Sequence, residues 1–104
     1  MKLKRFEILL PLNYNDGRPI ERTKFMVTNR ELLEKFGGLT TDSVEISGTW
    51  KYGSAFLHDR LVRLTIDSQN PHEDVVFFRE YKETLKSRFE QLDIWITAHD
   101  VELI

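Results

Sequence analysis

An α+β domain with the order strand-helix-strand-strand-helix-strand is the fold class that this sequence predicts. Three observations predict it. Apolar residues recur at every second position in four separate segments and at helical spacing in two others. Glycine, proline and Asn-Asp clusters separate those segments. The chain has 104 residues, so positions 1–104 make a single domain, and its 40% apolar content can fill one core without disulfide or metal staples.

Phe6, Ile8, Leu10 and Leu12 alternate with Arg5 and Glu7, the period of a half-buried strand. Asn13-Tyr14-Asn15-Asp16-Gly17 ends it, because Asp-Gly supplies a turn and tolerates positive φ. A helix over about 21–36 follows. Phe25, Leu32 and Phe36 share one face, widened by Met26 and Leu33, and Gly37-Gly38 offers a left-handed stop. A capping box at Thr28-x-x-Glu31 offers the alternative start at Asn29.

Val44, Ile46, Gly48, Trp50 and Tyr52 alternate with Glu45, Ser47, Thr49 and Lys51 in the second strand. Gly53-Ser54 punctuates it, and 61–66 returns as a third strand with Val62, Leu64 and Ile66 on one face. Phe56 and Leu57 extend that strand or cap the core's edge. The second helix has the strongest signature. Asn70 stands at the N-cap, Pro71 at the first helical position and Glu73 three residues after the cap, ahead of a stripe of Val75, Phe78, Leu85 and Phe89 with Tyr81 at its edge. Glu80, Lys82, Glu83, Lys86 and Arg88 are assigned to solvent. The last strand starts near Asp93. Val101 and Leu103 carry the parity of Trp95 rather than Ile94, which predicts a bend at Ala98-His99-Asp100 and a tail free to reach a partner.

With right-handed crossovers this order closes as a ferredoxin-like βαββαβ fold, a four-stranded antiparallel sheet with two helices on one face. The expected core face holds Phe6, Ile8, Leu10, Val44, Ile46, Trp50, Val62, Leu64, Ile66, Ile94 and Ile96. The expected open face is polar apart from Trp95, and Gly48 marks a bulge or a close approach by a helix.

Composition excludes several function classes. Without cysteine there is no disulfide, thiolate catalysis or Cys-based metal site. A net charge of −2 with interleaved signs gives no field for nucleic acid, and the central strands offer no outward aromatic for stacking bases. The apolar run Ile8-Leu9-Leu10 stops at Pro11, too short for a signal core, and no stretch approaches a membrane span, so a cytoplasmic protein is expected. His58-Asp59 and His99-Asp100 place neighbours on opposite strand faces, and His72 stands alone; no metal site or cofactor is expected. Asp16 and Asp67 read as turn formers, not as the gathered carboxylates of a two-metal nuclease.

Two readings of function remain. One is a non-enzymatic binding or assembly module, a homodimer or a partner of another protein, with Trp95, Val101 and Leu103 as contact residues. The other is a small enzyme or ligand-sensing domain with a pocket between sheet and helices near Trp50, Tyr52, His58 and Tyr81. The balance leans away from an enzyme. Arg79, Lys82 and Arg88 make a candidate anion patch, for which a solvated helix face is the simpler explanation.

The ordered motifs Ile8-Leu9-Leu10-Pro11, Asn15-Asp16-Gly17, Phe36-Gly37-Gly38, Gly48-Thr49-Trp50, Phe78-Arg79-Glu80-Tyr81-Lys82 and Phe89-x-Gln91 span most of the chain. In that order they resemble a group of small uncharacterised bacterial proteins with a domain of unknown function. The resemblance implies a ferredoxin-like fold and a bacterial or phage origin, and it brings no activity and no functional residues.

Overall fold

The alternation in the first strand is realised as β1 (Lys2–Pro11), whose even positions Phe6, Ile8 and Leu10 are buried. The computed structural model describes residues 1–42 and 45–104. It adds α1 (Arg22–Phe36), β2 (Thr40–Thr41), β3 (Ile46–Tyr52), β4 (Ala55–Ser68), α2 (Pro71–Arg88) and β5 (Trp95–Glu102). The class is α+β: the described residues form two helices and an antiparallel sheet of five strands, which corrects the expected four. β1 lies between β4 and β5, while β2 and β3 both pair with β4. Thr65 pairs with Glu7 on one side and Thr40 on the other, and Leu61 with Pro11 and Ile46, so β2 and β3 share the edge of β4 away from β1. Thr40-Thr41 gave no periodic signal, being only two residues long.

Register fixes the faces. Phe6 stands opposite Ile66 and Ile8 opposite Leu64 and Ile96, and the helices lay their apolar stripes on this side. Phe78, Tyr81, Leu85 and Phe89 from α2 are buried there with Leu32 from α1. Phe78 stacks on Phe6 with centroids 4.3 Å apart and on Phe36 at 5.4 Å, locking both helices to the sheet. The buried face of α1 is narrower than expected, since Met26 and Leu33 remain exposed.

The longer reading of α1 holds: Glu21 is the N-cap, and Thr28 lies mid-helix with its hydroxyl on the carbonyl of Lys24. Gly37 ends α1 at φ 76°, donating its amide to Leu33. At α2, Pro71 takes the first turn as expected, but the Asn70 side chain makes no capping bond. Ser68 anchors the N-cap residue from the strand side. Its hydroxyl accepts from the Asn70 amide and donates to the buried carboxylate of Asp74. A buried carboxylate in the first turn is favoured by the helix dipole as well as by that hydroxyl.

Strand length and register together overturn the expected face of the second strand and the expected bend of the last. β4 starts at Ala55, taking in Phe56 and Leu57 as the extended form of that strand allowed, so β3 and the first half of β4 form a hairpin, residues 46–60, that projects beyond the helices. Because Leu61 lies on the side of β1 opposite the helices, its partner Ile46 and the following Gly48, Trp50 and Tyr52 face that side too. Ile46 and Trp50 therefore leave the core face to which alternation assigned them; Val44, expected beside them, lies outside the described residues. β5 does not bend. Its ladder runs unbroken from Leu9↔Trp95 to Lys2↔Glu102, and Leu103 donates to the carbonyl of Met1 at 2.7 Å. The tail is bound to the chain's own first strand.

Candidate functional site on the open sheet face

The face away from the helices is not uniformly polar. Along its middle, Arg5 and Asp67 form a bidentate pair at 2.8 and 3.0 Å. The Arg5 guanidinium holds the Asp67 carboxyl below its ordinary range. Asp67 is thus an ion-pair partner as well as a strand end. At the other end of the face, register gathers Leu9 and Pro11 of β1, Leu61 of β4, Trp50 of β3 and Trp95 of β5. The two indoles stack with centroids 5.2 Å apart and 18° between planes.

Gly48 makes that stack possible. A Cβ there would meet the Trp50 ring at 3.1 Å and Leu61 at 3.2 Å. The close approach inferred from this glycine is real, but the visitor is the Trp50 ring rather than a helix. The ladder runs through Gly48 without a bulge. The Trp50 indole N–H donates to Asp59 at 2.8 Å, fixing the ring's tilt. Around it opens a cleft of about 260 Å³, completed by Gln91, Asp93 and Ile94 from the turn after α2. Glu90 at φ 53° shapes that turn, and Gln91 donates to the carbonyl of Phe89 at 3.0 Å, which gives the Phe89-x-Gln91 motif a structural role. Asp93 bridges Lys82 at 3.0 Å and accepts from the Ile94 amide. Lys82 holds its carboxyl below the ordinary range.

The cleft thus offers aromatic faces and two carboxylates. Such a surface suits a planar or cationic group. It does not present a nucleophile with a base behind it.

The four residues expected in a pocket between sheet and helices are dispersed. Trp50 lines the open-face cleft. Tyr52 stands at the hairpin tip, and His58 shares a 3.1 Å hydrogen bond with Thr49 on the hairpin's opposite side. Tyr81 is buried between the helices, donating to Glu31 at 3.1 Å. Burial pushes its phenol up to about 12. Of the expected contact residues, Trp95 and Leu103 are exposed and Val101 is half-buried opposite Leu3. The anion patch does not form. Arg88 turns into the helix interface, donating to the buried Thr28 hydroxyl at 2.8 Å and pairing with Glu31 at 2.6 Å, so its assignment to solvent is corrected. The guanidinium holds the Glu31 carboxyl below its ordinary range.

Sequence reasoning passed over Tyr14. It is buried, its hydroxyl donates to Glu21 and accepts from Lys24 at 2.5 Å, and Arg18 and Lys24 lie over its ring at 4.9 and 4.8 Å. It thereby ties the Asn-Asp-Gly turn to the start of α1. An aromatic inside a turn motif was the available signal. Among the described residues, no three His, Asp or Glu side chains converge as a metal site would need. No helix among the described residues is long and apolar enough to cross a membrane.

No protein-family model matches the chain, and no curated protein does. Among solved structures the chain is similar to a phage SAM lyase in complex with S-methyl-5'-thioadenosine, with a TM-score of 0.68. That likeness covers 97% of this chain and 90% of the lyase chain at 10% identity, and it shows the fold alone.

Proposed function

We propose that this protein is a non-enzymatic binding and assembly module of a bacterial cytoplasm that works as a homodimer through its bare hairpin and the adjoining open face. One observation carries the reading. Large apolar side chains are left in solvent on both sides of the hairpin: Tyr52 is 78% exposed, Trp95 52%, Leu57 51% and Trp50 36% on the open face, and Phe56 62% on the opposite one. Scaled by typical side-chain areas this is on the order of 600 Å², the upper end of what a monomer leaves uncovered. It approaches the ~800 Å² that each partner of a standard interface buries. The sheet is read as ferredoxin-like, with β2 and β3 on one edge of β4 standing for a single interrupted strand. Sedimentation velocity over a wide concentration range tests the proposal. A mass of two chains that falls on dilution supports it, and one chain mass at every concentration rejects it.

A second reading is favoured by the cleft itself: a small-molecule site in which Trp50 and Trp95 receive a purine or a sulfonium and the Asp59 and Asp93 carboxylates face the cation. The neighbour's complex with an adenosine thioether supports testing that chemistry first. Titration with S-methyl-5'-thioadenosine and with S-adenosylmethionine, followed by tryptophan fluorescence, separates the readings. Saturable quenching lost in Trp95→Ala supports the ligand site, and unchanged fluorescence at millimolar ligand removes it.

A further inference from the structure

We infer that the occupant of the hairpin's free edge is the same strand of a second copy: β3 pairs antiparallel with β3 about a two-fold axis through Thr49. The inference rests on the homodimer reading and names its contact. Among the described residues β3 pairs with β4 alone. The two-residue turn at Gly53-Ser54, with Gly53 at φ 63°, makes Tyr52↔Ala55 a hydrogen-bonded pair. Hydrogen-bonded and non-bonded pairs alternate along an antiparallel ladder. The amides and carbonyls of Ser47, Thr49 and Lys51 therefore point away from β4, along an open edge.

The side chains on that edge are self-complementary. A two-fold at Thr49 sets Ile46 opposite Tyr52, Ser47 opposite Lys51, Gly48 opposite Trp50 and Thr49 opposite itself, and every residue of β3 is then paired. Apolar meets apolar, polar meets polar, and no like charges meet. An aromatic beside a β-branched residue and a Thr–Thr pair are among the favourable cross-strand combinations. A two-fold at Lys51 would oppose two lysines and is disfavoured for that reason.

The other edge of the sheet is guarded. β5 carries His99, Asp100 and Glu102, all exposed, on an eight-residue strand. Charged and polar residues of this kind are how natural sheets blunt an edge against pairing. β3 has Lys51 alone among its seven residues and no proline. An isolated two-stranded hairpin is marginal in water, so a hairpin that projects past its helices gains most from another strand.

The chain has no cysteine, so single-cysteine variants report the contact directly. A hydrogen-bonded antiparallel pair holds its Cα atoms about 5.5 Å apart, within disulfide range. Thr49→Cys is expected to form a covalent dimer under mild oxidation at least about tenfold faster than Ser87→Cys on α2, because the dimer sets the local thiol concentration. Lys51→Cys faces Ser47 rather than itself. It should cross-link slowly alone and quickly when mixed with Ser47→Cys. Sedimentation of the unmodified chain is run alongside. A dimer in which Thr49→Cys is no faster than Ser87→Cys overturns the β3 contact and leaves the homodimer standing. A monomer at all concentrations overturns both.

Discussion

β4 passes through two environments, and the contrast between them explains most of this molecule. Its second half, from Leu61, lies under both helices, where Leu64, Ile66 and Ser68 are almost fully buried. Its first half, 55–60, is exposed on every residue although it holds Phe56 and Leu57 and keeps a complete ladder with β3. The second half is paired with β1 along its length and with β2 at Leu64 and Thr65, whereas the first half pairs with β3 alone among the described residues. They also differ in burial, for no described helix covers the exposed first half. Backbone pairing forms a strand, but a second layer makes it a core. Where that layer is missing, apolar side chains stay in solvent.

The contrast is breakable by mutation. Phe78→Ala removes the ring stacked on both Phe6 and Phe36 and should cost about 3–5 kcal/mol in urea unfolding. Phe56→Ala, the same chemistry on the hairpin, should change chain stability by no more than about 0.5 kcal/mol. Comparable losses at both positions would show that the hairpin is covered within its own chain.

The interhelix network should give the next largest effect. Arg88→Met leaves the Glu31 carboxylate and the Tyr81 hydroxyl without their cation and should cost about 1–3 kcal/mol. Its pH signature sharpens the assignment. Glu31 is held below its ordinary value of 4.5 when folded, so as pH falls past that value the unfolded chain takes up the proton first and stability drops. The contribution is complete above 4.5 and lost as pH falls through the folded value. The midpoint of unfolding against pH should therefore be steeper in the parent chain than in Arg88→Met. Asp67 beside Arg5 follows the same sign and remains in both.

Gly48→Ala probes the satellite cluster of the open face. The added methyl lies 3.1 Å from the Trp50 ring, which is partly exposed and can swing aside, so a cost of about 1 kcal/mol is expected. The near-ultraviolet circular dichroism of the stacked tryptophans should weaken with it. A spectrum unchanged by Gly48→Ala would show that the ring does not depend on this approach. The smallest effect on stability, within about 0.5 kcal/mol, is expected for Tyr52→Ser at the hairpin tip. The same change should weaken dimerisation in sedimentation, because the proposed β3 contact sets Tyr52 against Ile46 of the second copy. Unchanged association would remove Tyr52 from the contact.

Much of the helix layer was legible. The stripe of Phe78, Leu85 and Phe89 is buried as its spacing required, Pro71 opens α2, and Gly37 closes α1. Asn70 is the N-cap as its sequence indicated, but its side chain makes no capping bond; its own amide is held by Ser68 at the end of β4, whose position depends on where that strand stops. Arg88 looked like a solvent residue for a similar reason. Its partners Thr28 and Glu31 lie some sixty residues away, and only packing of α1 on α2 brings them within reach. Of the open-face site, Trp95 was assigned correctly and Trp50 was not. Alternation says that Ile46, Gly48, Trp50 and Tyr52 share a face, but not which face.

Local chemistry written in the sequence determined the α+β class, both helices, the turns at Gly17 and Gly53, and the two-faced character of each strand. These depend on side-chain period and backbone freedom within a few residues. Tertiary structure decided the sheet's fifth strand, the unbent course of β5, and the side on which Trp50 lies. Each of those follows from register across strands distant in sequence. One pairing, Ile46 with Leu61, turned an expected core tryptophan into half of an exposed aromatic site.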